Sequence, residues 1–125
     1  MDDYKEWLSY AKADLEAAKM LRNKLELCHI AIFHCHECME KALKALWIKN
    51  GFPVKRTHDI RELLTHVWHI ETWLTEFKDG VADVQEYFGM TRYPASENLG
   101  ILDSQQCFVI AEIFYETLLK KIVIS

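Results

Sequence analysis

Proline and glycine, the residues that most often end a helix, are confined to three places in this chain: Gly51 with Pro53, Gly80, and the stretch from Gly89 to Gly100 that holds Pro94. Everything between is free to be helical, and the apolar residues recur at three- and four-residue steps. From Asp2 to about Asn23, Trp7, Leu8, Ala11, Leu15, Ala18 and Leu21 form one stripe among Lys and Glu, the mark of an amphipathic helix. A second run, from about Glu26 to Asn50, carries Cys28, Ile32, Cys35, Met39, Ala42, Leu43 and Leu46 on one face. It stops at Asn50-Gly51 with Pro53 beyond, stop signals in their usual order.

After a loop from Phe52 to Thr57, apolar residues resume at Ile60 and continue through Leu63, Leu64, Val67, Ile70, Leu74, Phe77, Val81, Val84 and Phe88. A break near Ile70 to Thr72 divides them into a short third and a longer fourth helix, with Asp79-Gly80 a competing break site because Gly weakens a helix interior. From Gly89 to Leu102 the periodicity is lost around Arg92-Tyr93-Pro94, which predicts the longest loop of the chain. Asp103 is then the expected N-cap of a last helix through Cys107, Ile110, Ala111, Phe114, Leu118 and Leu119 to Lys120-Lys121. Period-two alternation is confined to the tail, Ile122 to Ile124. The fold class expected is all-α: an up-down antiparallel four-helix bundle with a short extra helix packed across one end.

A chain of 125 residues, half of them hydrophobic, can bury a core without disulfide or metal staples, so residues 1–125 are expected to form a single domain. No apolar run approaches the eighteen residues that would span a bilayer, and the acidic start Met1-Asp2-Asp3 is unlike a secretory signal; a cytoplasmic protein with no membrane partner is expected. The four cysteines then read as reduced thiols. A net charge of -4 argues against a surface built throughout for nucleic acid. Yet Lys41, Lys44, Lys49, Lys55, Arg56 and Arg61 face only Asp59 between them, a locally basic segment suited to an anionic ligand.

The cluster Cys28-His29 and His34-Cys35-His36-Glu37-Cys38 invites a zinc reading, since Cys and His are zinc's usual ligands. Helical geometry places Cys28, Cys35 and Cys38 on the apolar stripe, with His29 and His36 on one flank and His34 on the other, so the thiols are expected in the core. No paired Cys-x-x-Cys, no Gly-x-Ser-x-Gly turn, no phosphate-cradling Gly-rich loop and no His-Glu-x-x-His is present, and neither metal nor cofactor is expected. Trp47, Trp68, Trp73 and Phe52-Pro53 are most simply packing residues.

Four local patterns appear in order along the chain. They are Trp7-Leu8 with Ala11, Ala13-Asp14-Leu15 and Ala17-Ala18; Phe33 followed by Glu40-Lys41-Ala42-Leu43-Lys44-Ala45-Leu46; His58-Asp59-Ile60 with Leu63; and Arg92-Tyr93-Pro94. Together, over roughly residues 4 to 120, they resemble the HEPN family in its small stand-alone branch. The resemblance implies a five-helix bundle, commonly a homodimer, often paired with a minimal nucleotidyltransferase in a toxin–antitoxin type system. One departure is His36-Glu37, where relatives commonly show a Gln pair.

The resemblance further implies a binding and assembly module for a nucleotide or RNA. The polar members of the matched motifs, Glu40, Lys41, His58, Asp59, Arg92 and Tyr93, are its expected ligand-binding residues. In local terms His58 would cap the third helix, and Glu40 with Lys44 would form an exposed i,i+4 pair. Relatives that cleave RNA use an Arg and a following His with four to six residues between them, but no His follows Arg92 within that reach. Arg61 to His66 and Arg22 to His29 fit the spacing. The alternative function is therefore a metal-independent ribonuclease toxin with Arg61 and His66 as the catalytic pair, His as acid or base and Arg steadying phosphate charge. A purely structural dimerisation domain is the third.

Overall fold

The structure is a computed structural model and describes residues 3–93 and 98–124. Among these are five α-helices: α1 (Tyr4–Leu21), α2 (Cys28–Lys49), α3 (Ile60–Val67), α4 (Lys78–Met90) and α5 (Ile101–Ile124), with 3-10 turns at Leu25–Leu27 and Thr72–Phe77. The expected all-α bundle is observed, with α3 as its short element.

α2 is the central rod and packs against each of the other four helices. Fourteen of its 22 residues are buried, so beyond Cys35 it behaves as a helix surrounded by protein rather than as a one-faced amphipath. Its end is a Schellman turn: Gly51 at φ +84° lets its own N–H reach the Ile48 carbonyl and the Phe52 N–H reach that of Trp47, at 2.9 and 3.0 Å. Phe52 then packs edge-on against Trp47, whose indole N–H donates to the Leu63 carbonyl and fastens α3. The core runs through Ile32, Met39, Leu43, Leu46, Ile60, Leu63, Leu74, Phe114 and Leu118, all essentially inaccessible. Cys28, Cys35, Cys38 and Cys107 are free and buried in it, as the stripe required.

The break between the third and fourth helices falls where expected, filled by a turn and the Thr72–Phe77 3-10 segment. Asp79-Gly80 is not a break. Gly80 lies inside α4, where a Cβ would stand 3.0 Å from the Ile110 side chain, so its absence allows α4 and α5 to approach. The long loop is shorter than predicted, because Gly89 and Met90 belong to α4 and Ile101 and Leu102 to α5. Asp103 is not the N-cap of α5 but sits in its first turn, where its carboxylate accepts the Gly100 N–H at 2.8 Å, half of a capping box. The tail through Ile124 is helical, and Asp3 caps α1 by accepting the Lys5 N–H; Asp2 and Pro94 lie outside the described residues.

Candidate functional site

A groove of about 370 Å³ opens between α2 and the end of α4, lined by His29, Ile30, Phe33 and Glu37 of α2, His58 ahead of α3, and Phe88, Thr91 and Arg92. Each side chain is there for a local reason. On α2 the spacing of Ile30, Phe33 and Glu37 is one helical face. Phe88 and Arg92 are four apart at the end of α4, and the guanidinium lies over the Phe88 ring at 5.9 Å. Phe33 is 40% exposed, whereas Phe88 is buried and stacks flat on the His36 imidazole with centroids 3.7 Å apart.

Behind this wall runs a buried polar layer. Glu40 and Lys44, 4% and 5% exposed, pair at 2.9 Å, which corrects the expectation of an exposed i,i+4 pair: the rod is enclosed on this side too. His58 reaches back so that its Nδ1 lies 3.1–3.2 Å from both Glu40 oxygens. It does not cap α3. Asp59 does, accepting the Arg61 N–H at 3.0 Å, because its shorter side chain can fold onto the first turn. His36 is fully buried and shares a hydrogen bond of 2.8 Å between Nε2 and Gln85 Oε1.

Lys41 donates to Asp14 of α1 and stands 3.7 Å from Glu37, while Asp14 also meets His34 at 2.8 Å. Burial alone would lower the Lys41 ammonium, but the Asp14 and Glu37 carboxylates outweigh it and hold the group above its ordinary value. The His36 ring, and then the Lys41 ammonium, hold the Glu37 carboxyl below its ordinary range against the opposing effect of burial.

The chain matches the family model of the HEPN domain over residues 4–122. It belongs to the HEPN family. Over 96 residues it is 30% identical to "Putative toxin MJ1304" of Methanocaldococcus jannaschii, an alignment covering 70% of this chain and 61% of that protein. Two crystal structures share the fold. TT1696 from Thermus thermophilus superposes with a TM-score of 0.83 at 23% identity, covering 97% of this chain and 99% of its own. ST0689, an archaeal HEPN homologue, gives 0.79 at 24% identity, with 98% and 99% covered.

Within this HEPN bundle, His58 and Arg92 share the groove, and Glu40 joins them from behind through His58. Lys41 borders Glu37 but is committed to Asp14. Asp59 is turned away to α3. Tyr93, 68% exposed, lines a separate cavity of about 550 Å³ with Tyr87, Met90, Asn98, Leu99 and Asp103. Arg61 and His66 are not brought together by any described contact: the guanidinium is held by Asp59 at 3.0 Å, while His66 Nδ1 pairs with the Glu62 carbonyl at 2.9 Å and its Nε2 faces Lys55 at 3.4 Å.

Sequence reasoning named none of His29, Ile30, Phe33, Glu37, Phe88 and Thr91 as ligand-binding residues: His29 and Glu37 entered it through the zinc cluster, Phe33 as a family marker and Phe88 as an apolar helix position. The shared helical face of residues 30, 33 and 37 was the available signal. No helix among the described residues is long and apolar enough to cross a membrane.

Proposed function

We propose that this HEPN chain is a binding and assembly module: a homodimer that takes a nucleotide or short RNA segment into the groove and docks a minimal nucleotidyltransferase in a toxin–antitoxin type pair. The groove's composition carries the reading. Arg92, His29 and His58 offer donors for a phosphate, and the exposed Phe33 ring offers a flat apolar face on which a base can stack. The planar Arg fork suits phosphate oxygens better than a point charge would. Glu37, in the same wall, can accept from a ribose hydroxyl or base amino group and so favours a nucleoside phosphate over a bare anion. The name of the Methanocaldococcus relative supports placing the chain in a toxin–antitoxin setting.

Calorimetric titration with AMP, ATP and a short single-stranded RNA tests the reading, with sedimentation reporting the dimer. Binding by at least one probe is expected, weakened about tenfold or more by Arg92→Ala and by Phe33→Ala, since stacking contributes roughly 1–3 kcal/mol per base. Equal binding by Arg92→Ala, or no binding and no melting shift with any probe, leaves only a structural dimerisation domain. RNA cleavage by the wild type that is lost in both Arg61→Ala and His66→Ala would replace the module with the ribonuclease.

A further inference from the structure

Behind the groove lies an arrangement that the nucleotide reading touches only at Glu37. His36 and Glu37 are neighbours on α2 with Glu40 one turn on, and one ligand atom from each falls within 4.8 Å of the others. The donor role of one ring nitrogen of His36 is dictated from outside. Gln85 Oε1 accepts the Ile60 backbone N–H at 3.1 Å, so the amide oxygen, not its nitrogen, faces the imidazole. That same oxygen lies 2.8 Å from His36 Nε2, which must therefore donate.

In a neutral ring Nδ1 then presents a lone pair. That nitrogen is buried and has no hydrogen-bond partner, and Glu37 Oε1 faces it at 3.8 Å. A lone pair and a carboxylate held face to face repel, so a positive species stands between them: either a proton on Nδ1, the state in which the ring holds the Glu37 carboxyl down, or a metal ion in its place. An imidazole whose far N–H is held by an amide oxygen is also the orientation that metal-binding histidines adopt. The carboxylates are supported in the same way: Lys44 bonds Glu40 Oε2 at 2.9 Å and Lys41 faces Glu37 Oε2 at 3.7 Å, leaving Glu37 Oε1 turned toward His36, while Glu40 Oε1 meets, among the described residues, only the exposed His58 ring, at 3.2 Å, which a metal would displace. Glu37 also lines the groove, which provides a path of entry.

The geometry points to a divalent-metal site made by His36 Nδ1, Glu37 and Glu40, with water completing the coordination. One imidazole with two carboxylates suits a borderline transition ion such as Zn²⁺ over Mg²⁺ or Ca²⁺, which prefer all-oxygen shells. The buried cysteines take no part. The inference does not depend on the nucleotide reading, and its test contains no nucleotide, so either can fail alone.

The full chain, stripped with EDTA and dialysed, is titrated with ZnCl₂ and, for spectroscopy, with CoCl₂. About one equivalent is expected per chain, with an upward shift of the melting midpoint and a cobalt spectrum free of thiolate charge-transfer bands. Glu37→Gln, on the groove wall, should fold and bind at least tenfold more weakly; Gln85→Ala, which frees the His36 ring, should lose roughly 10–100-fold. His69→Ala, on an exposed turn, should bind as the wild type does. No bound zinc means that a proton on Nδ1 satisfies the pair and overturns the proposal. Undiminished affinity in Glu37→Gln, or a thiolate band, also overturns it, by placing the metal elsewhere.

Discussion

Helices α2 and α3 carry the same kinds of polar residue and put them to opposite ends. On α3, Arg61 answers Asp59 two residues away and His66 answers the Glu62 carbonyl four residues away, contacts that a short exposed helix makes with itself. On α2, His36, Glu40 and Lys41 find partners on α4, before α3 and on α1, at separations of 49, 18 and 27 residues. The difference teaches that residue type alone does not mark a site. What distinguishes α2 is enclosure, which removes water as a partner and makes each polar group depend on a neighbour from another element.

The contrast is broken most forcefully at Glu40. Glu40→Ala leaves the Lys44 ammonium buried without its partner and is expected to cost about 3–5 kcal/mol in urea denaturation, whereas Glu40→Leu with Lys44→Met should recover most of that loss. On α3 the largest expected effect comes from the cap: Asp59→Ala should cost about 1 kcal/mol at neutral pH. Arg61, and to a lesser degree the Arg61 and Glu62 backbone N–H groups, hold the Asp59 carboxyl below its ordinary value, against the opposing effect of burial. Its stabilising charge is therefore present above the unfolded value and lost as pH falls through the folded one, so wild type and variant should converge in acid. Arg61→Ala, removing an ion pair more than a third exposed on both sides, should move stability by no more than about 0.5 kcal/mol. If Arg61→Ala cost as much as Glu40→Ala, the contrast would fail.

The thiols sharpen the same comparison without a change in stability. Burial pushes Cys107 up to about 12 and raises Cys35 and Cys38 further, so iodoacetamide at pH 8 should leave all three unmodified until the chain is unfolded. Mass spectrometry of the alkylated protein reads the outcome directly. Rapid labelling of Cys35 or Cys38 in the native chain would show that the central rod opens.

The helices were legible because periodicity is a one-dimensional property. The spacing from Trp7 to Leu21, the Asn50-Gly51 stop and the interruption after Ile70 each correspond to an observed boundary within a few residues. Errors came at the ends near Gly89 and Leu102, where helix continues without a strong apolar signal of its own. His58 and Arg92 were legible through the resemblance to HEPN chains, and they do share a groove. Tyr93 and Asp59 were named on the same grounds, yet a one-residue step along the chain turns each toward a different surface.

What the amino-acid order determined by itself was therefore the set of rods, their stop signals and which thiols go inside, since these depend on residues within a turn or two of one another. Tertiary structure alone decided that Glu40 and Lys44 are enclosed, that Gln85 orients His36, and that Glu37 stands between a groove and a buried imidazole. Those facts arise where helices distant in sequence exclude water from a common space, and no local pattern encodes which polar group will be caught there.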